Sequence, residues 1–225
     1  MTKKKLLLIQ LNEINFELVK KYQDDRQFQF FNEGFFKKLS ITSSEEKYEL
    51  LEPWIQWVSI YTGKRANEHK IFRLGDIKKY SGDLIFNTIE KLNKSIGLVC
   101  SMNVANNFKE SKYFFSDPWT NDRSGPGKKI EFISKTISQV VNLNSHKSIP
   151  ISLYFKVLVI LLTSFRLKNI FLYSKLIFGF KKRWNKALLL DLILHDLHIN
   201  LLSKNKTEFS SIFFNAGAHI QHHYF

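Results

Sequence analysis

The side chains best suited to chemistry in this 225-residue chain fall in three short stretches. The last, residues 213–225 (FFNAGAHIQHHYF), holds His219, His222 and His223, and imidazole is a preferred ligand of borderline divalent cations. A histidine cluster with no acidic neighbour holds a metal only loosely, so a structural role stays open for it. The first stretch, residues 6–13 (LLLIQLNE), ends an apolar run abruptly in Asn12 and Glu13. Polar residues at such a point are where an open α/β sheet presents groups to a ligand. The same two residues can equally cap a following helix and supply an acid to its first turn, worth about 1 kcal/mol. The middle stretch, residues 52–74 (EPWIQWVSIYTGKRANEHKIFRL), opens on Glu52 directly before Pro53. Glu52 reads either as a chemical group at a helix start or as an ordinary N-terminal acid. Ser59 and Thr62 fall within or at the end of that helix and read as structural hydroxyls, and His69 as a residue that shapes a turn. The GPGKK run at 125–129 lacks the glycine spacing and the hydroxyl residue of a phosphate-binding loop.

The elements that must position these groups follow from periodicity. Residues 5–11 are a short continuous apolar run, the pattern of a strand covered on both faces of a parallel sheet. A helical pattern (Ile14, Leu18, Val19, Tyr22) comes next, then a second helix over 27–39 and a short strand over 40–44. Pro53 suits the first turn of a helix over 54–61, which Thr62-Gly63 ends. A helix over 82–92, a strand over 95–100 and a strand over 113–115, before the turn Asp117-Pro118-Trp119, complete an alternation that argues for βαβ units. Residues 128–202 are almost all helix-compatible, punctuated by Pro150 and Gly179, and 209–214 return to an apolar strand. The expected fold is α/β: a mainly parallel sheet sandwiched by helices, its core formed by 1–127 and 204–225, with 128–203 as a helical insert or cap. The chain passes from its last strand into the histidines with no closing helix expected, so a C-terminally incomplete core is expected too.

Composition narrows the function classes. A 44% hydrophobic and 24% charged chain with four prolines and nine glycines is globular, not disordered. Its net charge of +14 suits an anionic partner. Yet the tightest clusters, Lys3-Lys4-Lys5 and Lys181-Lys182-Arg183, interleave with no nucleic-acid motif, so nucleic acid is not an expected partner. One cysteine, Cys100, excludes an intrachain disulfide framework and a cysteine-based zinc knuckle. The apolar run at 6–9 is too short for a signal-peptide core, and the longest one, 157–165, falls well short of the roughly 18–20 residues of a spanning helix. A cytoplasmic location is expected, or one on the inner face of the membrane. Basic residues beside the apolar faces of 151–180 leave membrane-surface contact open.

Taken in order, the three stretches resemble the alkaline phosphatase superfamily, in particular its type I phosphodiesterase and nucleotide-pyrophosphatase-like branch. LLLIQLNE is similar to the opening strand that delivers a metal-binding Asp. The middle stretch is similar to the nucleophile helix, keeping Trp57, Ser59, Thr62, Gly63, His69 and Ile71. The third is similar to a strand followed by Asp-His-x-x-His and an aromatic. The resemblance covers roughly the first 120 residues and the last 17, and it implies two divalent metals beside a Thr or Ser nucleophile at a helix N-terminus. The metals would bind phosphoryl oxygens and activate the nucleophile, while the helix start adds N–H donors for the anion. Carried over residue by residue, the first metal-binding Asp falls on Asn12, with Glu13 beside it as a substitute. The nucleophile falls on Pro53, with Glu52 one residue earlier. The Asp of the third motif falls on Ala218 and its metal-binding His on His222.

What the resemblance implies is a metal-dependent hydrolase domain for phosphate- or sulfate-type esters, weakly active or inactive alone. Zinc or manganese would be bound by Asn12, Glu13, His219, His222 and His223, with Glu52 as the acid–base group. The alternatives are a non-catalytic pseudoenzyme or binding fragment, and a basic peripheral membrane protein of cell-surface glycan metabolism that uses the helices over 150–183. The sequence sets no oligomeric state.

Overall fold

The computed structural model describes residues 5–22, 37–144, 149–179 and 182–224. Four parallel strands form one sheet, β1 (Leu6–Leu11), β2 (Ile96–Val99), β3 (Tyr113–Phe115) and β4 (Phe209–Phe214), in the spatial order β1-β4-β2-β3. Parallel neighbours require crossovers; residues 100–112, without a helix, connect β2 to β3, and helices supply the other connections. They are α1 (Phe16–Lys21), α2 (Pro53–Thr62), α3 (Ala66–His69) and α4 (Ile85–Lys91) between β1 and β2. Between β3 and β4 run α5 (Lys128–Asn144), α6 (Ile151–Ser164), α7 (Ile170–Phe178) and α8 (Arg183–Asn205), and α9 (Ala216–Tyr224) follows β4. The α/β class and the parallel sheet agree with the expectation from sequence.

Alternation along the strands sends side chains into two cores. Ile96, Leu98, Phe114 and Phe209 meet Val58 and Tyr61 of α2 and Phe86 of α4 on one face. Val99, Tyr113, Phe115 and Ile212 meet Ile133 and Ile137 of α5 and Leu189, Ile193 and Leu197 of α8 on the other. The helices of 128–205 thus share a core with the sheet, with Ile160 of α6 and Tyr173 of α7 joined to the same cluster. Asp196 of α8, fully buried, ties them together: it accepts hydrogen bonds from the Arg166 N–H at 2.9 Å, the Asn169 amide at 2.5 Å and the Tyr173 hydroxyl at 3.2 Å.

Three expectations change. β1 is not covered on both faces: it pairs only with β4 among the described strands, and Leu6 stands 63% exposed, with Leu7, Leu8, Ile9 and Leu11 also open. An apolar run fixes the strand but not its place in the sheet, and among the described strands this one is an edge. Residues 40–44 form no strand; Ile41 projects into solvent, and two β-branched residues do not hold a strand without a ladder to join. The histidine tail is not irregular but helical, as α9. Of the helix expected over 27–39, residues 27–36 lie outside the described residues, and 37–38 form a turn.

Candidate functional site at the C-terminal edge of the sheet

Each parallel strand ends on the same side, and polar groups gather there. The β1 ladder continues through Asn12, whose N–H donates to the Phe214 carbonyl at 3.0 Å. The Asn12 side chain is buried and fully engaged. Its Nδ2 donates to Asn215 Oδ1 at 2.8 Å, and its Oδ1 accepts from Trp57 Nε1 at 2.8 Å. Glu13 follows with φ of +51°, a left-handed turn that a non-glycine residue adopts only with outside support. That support includes Nδ2 of Asn12, 3.3 Å from Glu13 Oε1, and Nε2 of His222, 2.5 Å from Glu13 Oε2.

The start of α9 is drawn close to this turn for two reasons. Asp191 of α8 accepts the N–H groups of Asn215 and Ala216 at 3.1 and 2.8 Å, satisfying donors that a helix start leaves open. Gly217 then lets the helix approach, since a Cβ there would sit 2.4 Å from the Ile14 side chain. Burial pushes the Asp191 carboxyl up to about 6, against the opposing pull of those two N–H donors. His219 and His222, three residues apart, share a face of α9. Partial desolvation, then the neighbouring His222, lower the pKa of His219, which favours the neutral imidazole a metal would require. His223 is turned to a different purpose, packing against Trp184 at 4.6 Å and Tyr224 at 5.2 Å between ring centroids.

The middle stretch reaches the site through Trp57, which also meets Phe213 edge-on at 5.4 Å. Pro53 opens α2 and Gly63 closes it at φ of +66°. Glu52 is the N-cap residue, exposed, with no side-chain cap bond. Ser59 and Thr62 bond back to the Ile55 and Val58 carbonyls. His69 shapes the turn through Nδ1, which accepts the Ile71 N–H at 3.0 Å. Ala218, where the resemblance calls for Asp, is buried in α9.

Several residues of this edge carried no signal by type. Gln10, buried mid-strand, donates to Ser211 Oγ at 2.7 Å and accepts from the Tyr61 hydroxyl at 2.6 Å, while Ser101 lies 3.3 Å from Ser211. Asp117, buried after β3, accepts N–H groups of Asn103, Trp119 and Thr120, and its burial raises its pKa. A polar residue in an otherwise apolar strand was the one available cue for Gln10. Asp191 offered none, because it looks like any acid on an amphipathic helix.

Among the described residues, no group of three or more His, Cys, Asp or Glu side chains is placed to hold a metal ion. The chain matches no known protein family, no curated protein and no solved structure. Among the described residues, no helix is long and apolar enough to cross a membrane.

Proposed function

We propose that the chain is an alkaline-phosphatase-like domain of the metal-dependent hydrolases that act on phosphate- or sulfate-type esters. The observation that carries this reading is convergence. The three stretches that resemble the superfamily lie far apart in sequence, yet Trp57, Asn12 and Asn215 form one hydrogen-bonded row, and Glu13 meets His222 across 209 positions. The row fixes the turn after β1, and the turn aims a carboxylate at an imidazole. A zinc or manganese ion bound there would take Glu13 and His222 as ligands and supply Lewis-acid chemistry to an ester oxygen. His219 shares a face of α9 with His222 and feels the charges of Glu13 and His222, while His223 faces its aromatic partners and Asn12 is spent on positioning. Two donors are too few for the two-metal hydrolysis that the resemblance implies, so the domain alone is read as weakly active.

A second reading, a non-catalytic pseudoenzyme, is favoured by Pro53 and Ala218, which put neither a hydroxyl nor a carboxylate where that chemistry needs them. Titration calorimetry with zinc and manganese, alongside assays with p-nitrophenyl phosphate, its bis-ester and p-nitrophenyl sulfate, separates the two. One bound ion, lost in Glu13→Ala and His222→Ala and kept in His223→Ala, supports the metal site. Metal binding without turnover of any ester selects the pseudoenzyme. No binding by the wild-type chain removes the hydrolase reading.

A further inference from the structure

The helical layer carries an apolar surface that its own fold does not use. On α6 the residues Ile151, Tyr154, Phe155, Leu158, Val159 and Leu162 recur at helical spacing and are 47–77% exposed. The opposite face of the same helix, with Leu153, Ile160 and Ser164, is the one that is buried. On α7, Phe171 and Phe178 are 77% and 89% exposed, beside Ile170 and Ile177, while Tyr173 turns inward. A soluble surface helix shows one apolar stripe; α6 has two, and the outer one continues onto α7.

Charge indicates what covers it. Residues 132–190 contain no Asp or Glu at all. Lys156, Lys168 and Lys175 are exposed on the two helices and the turn between them. A second copy docking by the same surface would bring the lysines of both copies together. An anionic bilayer surface would accept them, because lysine stems lie along apolar groups while their ammonium ends reach phosphates. At 14 residues, α6 is about 21 Å long, too short to span a hydrocarbon core of about 30 Å but suited to lie within the interface.

We propose that the outer face of α6 and α7 is a docking surface for anionic phospholipid membranes, with the apolar stripe inserted at the headgroup boundary and the lysines at its rim. The surface uses none of the residues of the Glu13–His222 site, and its test needs no metal, so the two readings fail separately. Flotation of the full chain with vesicles of phosphatidylcholine alone, or mixed with phosphatidylglycerol, is the experiment. The wild type is expected to float with mixed vesicles and to lose most of that binding at high salt. Phe155→Ser with Phe171→Ser should lower partitioning by about tenfold or more. Lys156→Gln, Lys168→Gln and Lys175→Gln should each lower it about fivefold. Both sets replace exposed side chains, and circular dichroism and urea midpoints check that they fold. Absence of flotation, equal flotation with neutral and anionic vesicles, or binding indifferent to the phenylalanine changes would overturn the proposal. So would a vesicle-free dimer, seen by sedimentation, that those changes dissolve.

Discussion

Asp191 shows how a single side chain can serve the site and burden the fold. Its two N–H partners hold α9 against the β1 turn, but burial sets its pKa at about 6, above its ordinary value of 3.8. The native chain therefore keeps a proton between roughly pH 4 and 6 that the unfolded chain has released. The stability this contributes is complete below about pH 4 and is lost as pH rises through about 6. Asp191→Asn keeps an acceptor for one N–H and removes the titration. Relative to wild type, the variant should gain about 1 kcal/mol between pH 4.5 and 7.5, after allowing for partial exposure. Urea denaturation at the two pH values measures it. Comparing the two proteins cancels the opposite trend of His198, whose pKa burial lowers to about 4. A variant that loses ground as pH rises would mean that the charged carboxylate's attraction to the helix start outweighs its burial.

At the scale of elements, the β2–β3 pair depends on an absence. Gly97 pairs with Tyr113, and a Cβ at 97 would lie 2.1 Å from the Tyr113 ring. The ring is fully buried and belongs to the core shared with α5 and α8, so it has nowhere to retreat. Gly97→Ala should cost about 2–3 kcal/mol as overpacking, against a few tenths for Ser203→Ala on the exposed side of α8; thermal unfolding of both distinguishes a local clash from a general sensitivity of the sheet. The elements themselves were largely legible. β3 and β4 have the bounds their apolar runs predict, and Pro53 and Gly63 mark α2 by backbone chemistry alone. Position was less legible than type. Nothing in LLLIQL distinguishes an edge from a centre, because neighbours decide it, and the helical insert or cap expected over 128–203 carried no sign of how far α5 and α8 enter the sheet's own core. At the site, Asn12, Glu13 and His222 were visible as polar residues ending strands or clustering. Asp191 was not, and the roles of Gln10 and Asn215 were not, because they come from partners that are remote in sequence.

For the molecule as a whole, charge is the unbalanced quantity. The chain carries 34 Lys and Arg against 20 Asp and Glu, a net charge of +14, and the acid-free run over 132–190 concentrates the excess on one layer. Two ion pairs among the described residues do little to offset it. Lys91 meets Asp83, both more than half exposed, and Lys94 meets Glu208 at 3.2 Å near the surface; such pairs contribute at most about 1 kcal/mol. Compaction brings like charges within reach of one another, a repulsion that salt screens over about 10 Å at 0.1 M. Added salt should therefore stabilise this fold rather than weaken it. Raising sodium chloride from 10 to 300 mM at pH 7.5 is expected to lift the melting temperature by about 2–5 °C, equivalent to roughly 1 kcal/mol for a chain of this size. Chloride and fluoride, compared at equal ionic strength, should give the same shift if screening is the cause. A melting temperature that falls with salt would show that attractive pairs dominate the fold's electrostatics. The same salt that steadies the folded chain should release it from anionic vesicles, because one excess of positive charge, set on the α6–α7 layer, opposes folding in water and favours binding at a membrane.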